Sequence, residues 1–299
     1  MTELPMVDAT GGNAAAGAPV PPSRRAEGPG IHPDMTFDDY LTHPSLSASG
    51  ARKLITDVPA VYAYERDHPT PASLAMERGT AAHELVLGSG RGIVQVDADD
   101  WRTNRAKALR DQAHTEGKVP LLRDAYTEVV AMAAALRAHP MAWSLLNPER
   151  GRAEVSAVWE DEQTGVLRRA RYDLLPHPGD GRLLLTDYKS ARSARADSFS
   201  KAAADYGYAQ GAAWYCDGAK ALDLGDDPVM MFVVQETHAP YLVNVVSLTE
   251  PALRLAAALN RKALGIYAEC QASGVWPGYE GVNYVGLPAW FEYRHQDVA

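Results

Sequence analysis

The sequence contains little cysteine and no long apolar run. Its cysteines, Cys216 and Cys270, are too few among 299 residues for a disulfide framework or for a four-cysteine zinc or iron–sulfur site. No stretch approaches the ~18 consecutive apolar residues that a membrane-spanning helix needs, and the first residues lack the pattern of a secretory signal. We therefore expect a protein of a reducing, cytoplasmic compartment that has no membrane partner.

Positive charge is also scarce. The chain carries 29 Lys and Arg residues against 38 Asp and Glu residues, which gives a formal net charge of −9. Because nonspecific binding along nucleic acid requires dense positive charge, this balance excludes a general nucleic-acid coat protein. It does not exclude an enzyme that meets DNA in one local channel, and carboxylates that hold metal ions would themselves add negative charge.

Bulky apolar side chains are rare at the start of the chain. Residues 1–34 are rich in Pro, Gly and Ala, so they cannot bury enough surface to offset the entropy of ordering them. We predict a disordered tail there and a single domain over residues 35–299, whose first part, 35–150, is mainly helical. The helical patterns lie at 51–56, 73–87, 101–116 and 121–138.

The pattern changes in residues 151–299, where apolar and polar residues alternate as in strands. We predict a hairpin, a more buried strand, a helix that breaks near Gly207, two further strands and a closing helix. The result is a mixed α/β or α+β fold with helices packed on a sheet. In chain order the predicted strands and helices cover 153–159, 166–175, 182–189, 194–218, 229–235, 241–248 and 251–272.

The residues best suited to chemistry are Asp173 and the run Asp187-Tyr188-Lys189. On a strand, Asp187 and Lys189 point to the same face about 6.6 Å apart, and Asp173 can reach them from a neighbouring strand. Two carboxylates are hard oxygen ligands suited to Mg²⁺, and a lysine beside them can stabilise charge that develops on phosphorus. The alternative is a salt-bridged strand end. Against it, Asp187 follows a buried apolar run, where an unpaired carboxylate would be costly.

The spacing Asp173…Asp187-x-Lys189 on consecutive strands resembles the PD-(D/E)xK nuclease core, whose usual order is helix, three strands, helix, strand. The sequence is most similar to the RecE-like exonucleases of phages and prophages, in the RecB-like branch. The resemblance covers most of residues 45–280. The segments that carry it are Gly79-Thr80-Ala81-Ala82-His83, Arg171-Tyr172-Asp173, Asp187-Tyr188-Lys189-Ser190, Tyr208…Ala212-Ala213-Trp214-Tyr215 and Ser273-Gly274-Val275-Trp276-Pro277-Gly278-Tyr279.

The resemblance implies a role for each matching residue. Asp173 and Asp187 would hold Mg²⁺, for which Mn²⁺ can substitute, and Lys189 would be the catalytic lysine that positions the attacking water. His83 would match the histidine of an upstream helix that lies near the metals, although a histidine in that apolar stripe also suits a core position. Glu154, on the first strand, and Tyr188 complete the expected metal contacts.

The chain departs from the family at one position. The family commonly has Gln four residues before the tyrosine that matches Tyr215, whereas this chain has Gly211 there and Gln210 one residue earlier. One residue of a helix is a rotation of 100°, so Gln210 cannot simply replace that side chain. Either the helix shifts locally or one contact of the active site is missing. Tyr208 and Tyr215 share a face, which suits either DNA contact or core packing.

Several polar residues near the predicted site are candidates for DNA binding. Arginines cluster around it in sequence and could line a local basic channel, although a solvated strand face explains the first three equally well. These arginines are Arg168, Arg169, Arg171, Arg192 and Arg195. The full set of candidate DNA contacts is Tyr208, Gln210, Tyr215, Arg171, Ser190 and Arg192. No P-loop spacing occurs, so ATP-driven translocation is not indicated.

The resemblance implies a Mg²⁺-dependent exonuclease that degrades double-stranded DNA from free ends in the 5′→3′ direction. It also implies a 3′ single-stranded tail for a RecT-like annealing protein, a ring-shaped homo-oligomer and a phage or prophage gene expressed in a bacterial cytoplasm. Two alternatives stay open. One is a structure- or site-specific endonuclease on the same core, and the other is a catalytically weak DNA-binding module.

Overall fold

The computed structural model describes residues 28–68, 74–179 and 181–297, and it has a mixed α/β architecture. The strands are β1 (Gly30–His32), β2 (Leu46–Ser47), β3 (Ile93–Val96), β4 (Val119–Leu122), β5 (Gly151–Glu160), β6 (Leu167–Pro176), β7 (Leu184–Ala191), β8 (Val229–Glu236) and β9 (Val243–Val246). The helices are α1 (Phe37–Thr42), α2 (Ala48–Thr56), α3 (Pro59–Asp67), α4 (Leu74–Leu87), α5 (Asn104–Thr115), α6 (Arg123–Ala138), α7 (Pro140–Leu146), α8 (Ala196–Asp205), α9 (Tyr208–Ala221), α10 (Glu250–Ser273) and α11 (Ala289–Arg294).

The described residues form a central seven-stranded sheet in the order β1-β5-β6-β7-β8-β9, with β2 paired to β6. Neighbouring strands run antiparallel, except that β7 is parallel to β8 and β2 is parallel to β6. β3 and β4 form a separate parallel pair. The predicted fold class, a mixed sheet flanked by helices, is therefore confirmed.

Two apolar clusters cover the two faces of the central sheet. On one face, side chains such as Trp214 of α9 and Leu264 of α10 pack against Leu185 and Phe232. On the other face, α4, α6 and α7 pack against the sheet around Val233. Alternate residues of β7 and β8 point into different clusters, as the period of two in a strand requires. The sheet is thus buried on both faces.

The predicted disordered tail extends too far toward the C-terminus. Gly30–His32 forms β1, which pairs antiparallel with Ser156–Val158 of β5, and Ile31 packs against the core. One apolar side chain is enough to hold so short an edge strand, and a segment of three residues has no periodicity to reveal it. Residues 1–27 lie outside the described part of the chain.

The helix predicted over 194–218 breaks where the sequence suggests. Gly207 adopts φ 70° and ψ 28°, a left-handed conformation that costs glycine little, and it separates α8 from α9. The helix over 121–138 is also confirmed, but Pro140 does not end the helical region, because it is the first residue of α7. Proline is favoured at that position, since its missing N–H would have no partner in the helix.

Among the described helices, none alone is long and apolar enough to cross a membrane. One bent pair, Arg123–Ala138 with Pro140–Leu146, meets the length and composition criteria together, with an angle of 101° between its halves.

Candidate active site

The two aspartates lie where β7 diverges from β6, beyond the pair Leu174 and Thr186, and we call this place the fork. In the described residues, β6 and β7 are joined by one register pair, Leu174 with Thr186, so Asp173 and Asp187 come next on the two strands. The Asp173 Oδ2 atom then accepts the backbone N–H of Tyr188 at 2.8 Å, a contact that takes the place of a ladder bond. β5 occupies the other edge of β6, so β2 must pair with β6 on the side from which β7 diverges.

Asp187 and Lys189 project together from β7. The Lys189 Nζ lies 2.6 Å from the Asp187 Oδ2, and the two side chains are 28% and 8% exposed. Burial raises the pKa of the Asp187 carboxyl to about 6; Asp173 adds to this rise, and Lys189 opposes it. Burial alone would lower the pKa of Lys189, but the two carboxylates outweigh it and hold that pKa above its usual value. Lys189 is thus the cationic partner of Asp187 at this site.

A chain of polar contacts reaches Asp173 from the other face of the sheet. His83 of α4 lies 2.9 Å from the Asp173 Oδ2 through Nε2, and 3.0 Å from the Glu154 Oε1 through Nδ1. The Glu154 Oε2 in turn accepts from the Arg171 Nε at 2.7 Å. Burial alone would lower the pKa of His83, but the two carboxylates raise it to about 10. Burial would raise the pKa of Asp173, and the charges of His83 and Lys189 hold it below its usual value.

Glu154 has an unusual backbone for a strand residue. Its φ is +58°, in the left-handed region, which costs a residue other than glycine about 1–2 kcal/mol. Ala153 packs in the cluster under α4 and α6, whereas Ala157 packs in the opposite cluster, although both would share a face in a regular strand. The strained residue therefore interrupts the alternation of β5 opposite Asp173 and places its carboxylate against His83.

The donor set at the fork fits a divalent cation. Asp173 and Asp187 are hard oxygen ligands, and the buried Asp187 Oδ2 is contacted by the Lys189 Nζ at 2.6 Å. A bound cation would relieve the repulsion between the two carboxylates, which adds to the effect of burial in raising the pKa of Asp187. Within the described residues no cluster of three or more His, Cys, Asp or Glu side chains is arranged as a ready metal site. The cation would thus depend on the two aspartates and on oxygens supplied by substrate and water.

Two cavities open beside these residues. A cleft of ≈ 190 Å³ lies between Asp187 and the start of α2, where Ser47, Ser49 and Arg52 line it. A larger cavity of ≈ 790 Å³ is lined by Lys189 and the residues that follow it on β7, and by residues that include Arg192 and His238. Lys189, Tyr206 and Tyr208 line both cavities. A polymer that passes from one cavity to the other would therefore cross Lys189, which lies beside Asp187.

Comparison with known proteins agrees with this geometry. Residues 60–288 match a sequence family described as a PDDEXK-like domain of unknown function, DUF3799. The chain belongs to this PDDEXK-like family. A crystal structure of a protein from Eubacterium rectale described as a "putative exonuclease" has the same fold, with 12% sequence identity and a TM-score of 0.58. That match covers 87% of this chain and 96% of the other. No curated protein sequence matches the chain.

The matched residues 60–288 include Asp173, Asp187 and Lys189. Membership of the PD-(D/E)xK superfamily, which the resemblance predicts, is confirmed. Within the domain the predicted residues Asp173, Asp187, Lys189, His83 and Glu154 come together at the fork.

Two predicted site residues point away from the fork. The Tyr188 hydroxyl donates to the Gln235 Oε1 at 2.8 Å inside the opposite cluster, so the Tyr188 side chain is not a metal ligand; its backbone N–H instead holds Asp173. Gln210 is buried against α10, where its side-chain Nε2 donates to the Asn260 Oδ1 at 3.4 Å and its backbone carbonyl accepts from the Asn260 Nδ2 at 2.9 Å. Gln210 is therefore not a DNA contact, because α9 presents the adjacent Gly211 to the cleft.

The predicted basic channel is also wrong for three of its arginines. Arg168 is buried between the rings of Trp159 and Trp214, 4.9 and 4.0 Å from their centroids. Arg169 donates to backbone carbonyls of the loop before β2, and Arg171 is held by Glu154 and by Ser156. The alternative interpretation, in which these three arginines lie on a solvated strand face, is wrong as well, because their side chains contact the loop before β2, the neighbouring strand β5 and the tryptophan rings.

The remaining predicted DNA contacts line the cavities. Tyr208 lies in both cavities and stacks beside Phe199, and the Lys189 Nζ is 5.2 Å from the Tyr208 ring centroid. Tyr215 lines the smaller cleft and contacts the Tyr172 ring. Ser190 and the exposed Arg192 line the larger cavity. These four positions stay predictions.

Sequence reasoning missed the contribution of α2. Ser47 caps this helix by accepting the Gly50 N–H at 3.2 Å, and the first turn places Ser49 and Arg52 in the cleft opposite Lys189. Ser47 is more than a hundred residues from Asp187 in the chain, and no local pattern relates the two segments, so the sequence did not predict this contact.

A pair of substitutions isolates the backbone strain at Glu154. Both Glu154→Ala and Glu154→Gly remove the carboxylate that holds His83, but glycine accepts φ +58° more readily. We expect the glycine variant to be the more stable of the two by about 1 kcal/mol, or about 2–4 °C in melting temperature. Equal melting temperatures, or a more stable alanine variant, would show that the backbone at this position is not strained.

A second pair of substitutions concerns two glycines of α9. A Cβ at Gly211 would meet no atom within 4 Å, whereas one at Gly218 would lie 2.7 Å from the buried ring of Trp159. We expect Gly211→Ala to stabilise the protein by about 0.5–1 kcal/mol through helix propensity, and Gly218→Ala to destabilise it by about 1–3 kcal/mol through overpacking. Thermal unfolding of both variants measures the two signs, and a loss of stability on Gly211→Ala would contradict the open position in the cleft.

Proposed function

We propose that the protein is a Mg²⁺-dependent exonuclease that acts on double-stranded DNA, in the 5′→3′ direction, and leaves a 3′ single-stranded tail for a RecT-like annealing partner. The observation that carries this proposal is the convergence of Asp173, Asp187 and Lys189 at the fork, where Asp187 and Lys189 line the smaller cleft and Lys189 also lines the larger cavity. The polarity, the annealing partner, a ring-shaped assembly and the bacterial cytoplasmic setting rest on the RecE-like resemblance.

The residues of this chain divide the chemistry among them. Asp173 and Asp187 would hold a divalent cation, which when bound polarises the scissile phosphate and activates water. Lys189 donates its N–H groups toward the same place, so it can orient the attacking water and stabilise negative charge on the phosphate oxygens. His83 fixes the orientation of Asp173, and Glu154 fixes that of His83.

The cavities supply binding groups for the substrate on either side of the fork. Arg52 and the hydroxyls of Ser47 and Ser49 suit backbone phosphates in the smaller cleft, and exposed Arg192 suits them in the larger cavity. Tyr206, exposed between the two cavities, offers a ring on which a base can stack. Local positive groups of this kind allow an acidic protein to bind DNA in one channel.

The shape of the substrate separates an exonuclease from the endonuclease alternative. We expect Mg²⁺-dependent release of nucleotides from linear duplex DNA, early loss of a 5′ label, and no cleavage of the same DNA as a covalently closed circle. Cleavage of the closed circle would favour an endonuclease, and early loss of a 3′ label would reverse the proposed polarity. Binding of linear DNA without nucleotide release would leave the DNA-binding module as the better account.

A further inference from the structure

Tyr40 of α1 lines the smaller cleft, although no sequence pattern marks it as a site residue. The side chain is half-buried, and it shares this cleft with Asp187 and Lys189 and with Ser47 and Arg52 of the α2 region. The proposed function assigns chemistry or DNA binding to each of these four residues, but it leaves Tyr40 without a role. A strand of DNA that reaches Asp187 through the smaller cleft would pass the Tyr40 side chain.

The segment that carries Tyr40 is held by two arginines of β6, the strand that also contains the first aspartate of the site. Before α1, the Arg171 Nη1 donates to the Met35 carbonyl at 3.0 Å. After α1, the Arg169 Nη1 donates to the His43 carbonyl at 2.6 Å. Because α1 has only six residues, contacts on both sides of it fix its position on the sheet. The Tyr40 side chain therefore has a defined place beside the catalytic strand.

The Tyr40 hydroxyl is polarised and stays protonated. The Arg169 guanidinium lies 5.2 Å from the centroid of the Tyr40 ring, and it also donates toward the hydroxyl oxygen. A phenol oxygen that accepts a hydrogen bond still has its own O–H to donate. Burial raises the pKa of the Tyr40 hydroxyl, and although Arg169 and Arg171 oppose this rise, the hydroxyl remains a neutral donor at neutral pH. A donor polarised by a guanidinium suits an anionic acceptor.

The acceptor that fits this hydroxyl is a phosphate of the substrate. The carboxylate that lines the same cleft, Asp187, is already paired with the Lys189 Nζ at 2.6 Å. Arg52 adds a positive charge to the cleft, where its Nη1 donates to the backbone carbonyl of Asp205 at 3.2 Å. A strand of DNA in this cleft would present its phosphates to Arg52 and Tyr40, and phosphate oxygens are the commonest acceptors in protein–DNA contacts.

We propose that Tyr40 is a substrate-binding residue whose hydroxyl donates to a phosphate oxygen of the DNA strand in the smaller cleft, next to the phosphate that is cut. This role rests on the proposed function and adds to it a DNA contact from α1. The hydroxyl carries the contact and the ring does not, so the loss of one oxygen atom should weaken binding. A hydrogen bond to a charged group contributes more than one between neutral groups.

The test compares full-length wild-type protein with Tyr40→Phe, which removes the hydroxyl and keeps the ring. Tyr64→Phe is the matched control, because Tyr64 is 64% exposed on α3 and lines neither cavity. Fluorescence anisotropy measures the Kd for linear duplex DNA, with Ca²⁺ in place of Mg²⁺ so that the DNA stays intact. We expect Tyr40→Phe to raise the Kd about tenfold or more and Tyr64→Phe to leave it within about twofold. Both variants should melt within about 4 °C of the wild type.

A neutral phosphate analogue identifies the contact itself. One methylphosphonate, which removes the negative charge, is placed in turn at each of the first few phosphates from either end of the duplex. At one position it should weaken binding by the wild type at least about fivefold more than binding by Tyr40→Phe, because the variant has already lost the contact. With Mg²⁺, Tyr40→Phe should raise the KM for nucleotide release about tenfold and leave kcat within about threefold.

Three results would overturn the role of Tyr40. They are an unchanged Kd in Tyr40→Phe, equal losses in both proteins at every methylphosphonate position, and a wild-type protein that does not bind duplex DNA. The nuclease function is judged separately. Wild-type protein that shows the Tyr40-dependent binding but releases no nucleotides would contradict the nuclease alone, and nucleotide release with the same KM in Tyr40→Phe would remove Tyr40 alone.

Discussion

Asp187→Asn should lower the rate of nucleotide release by about 10³-fold or more, which corresponds to about 4 kcal/mol of activation free energy. The substitution keeps the shape of the side chain but removes one of the two carboxylates that would hold the cation. Asp187 is 8% exposed and carries a raised pKa, so the folded protein does not rely on its negative charge. Asp173 also remains as a second negative charge near Lys189, so the loss of the Asp187–Lys189 ion pair is partly offset and we expect the melting temperature to stay within about 4 °C of the wild type.

Asp197→Asn is the matched control for this prediction. Asp197 lies on α8 and is 64% exposed, in an ion pair with Arg195, so the same chemical change there should leave the rate unchanged. DNA binding by Asp187→Asn, measured by fluorescence anisotropy, should persist because the groups that line the cavities are intact. A rate within a few-fold of the wild type would remove Asp187 from the catalytic residues.

Lys189→Met should affect both catalysis and the response to divalent cations. Without the ammonium group, nucleotide release should fall by about 10²-fold or more, because charge on the phosphate loses a donor. Breaking a buried ion pair costs about 3–5 kcal/mol, and the 28% exposure of Lys189 should reduce this to about 2–3 kcal/mol. Asp187 then loses its cationic partner while Asp173 keeps His83, so Ca²⁺ should raise the melting temperature of the variant more than that of the wild type.

The control for this second prediction is Lys201→Met on the exposed side of α8. It should change neither the melting temperature nor its response to Ca²⁺. Thermal unfolding with Ca²⁺ and with a chelator measures both variants without any need for catalysis. An equal Ca²⁺ response in Lys189→Met and the wild type would show that the aspartates do not hold the cation.

Much of the fold could be predicted because its elements are long and periodic. The strands that became β5 to β8 alternate or form short apolar runs, and Gly207 marks the break between α8 and α9. The short strands were not predicted, because they contain too few residues to show a period. β1 and β2 contain three and two residues, and each pairs with a strand distant in sequence.

The candidate site was predictable where chemistry follows local spacing. Asp187 and Lys189 share a face of one strand, so their proximity follows from the period of two. The position of Gln210 was not predictable as core, because it depends on Asn260, fifty residues away. The left-handed backbone of Glu154 was not predictable, because it belongs to the local geometry of the sheet opposite Asp173 and no sequence pattern marks it. The contacts of Arg168 and Arg169 were not predictable either, because their partners, the Trp214 ring and the loop before β2, are distant in sequence.

The most direct test of the account is the release of acid-soluble nucleotides from linear duplex DNA by the full-length wild-type protein, with Mg²⁺ and with EDTA, beside Asp187→Asn. The account predicts steady release by the wild type with Mg²⁺, none with EDTA, and none above background from the variant. Release that persists in EDTA, or that is equal in wild type and variant, would contradict a metal-dependent nuclease centred on Asp173, Asp187 and Lys189.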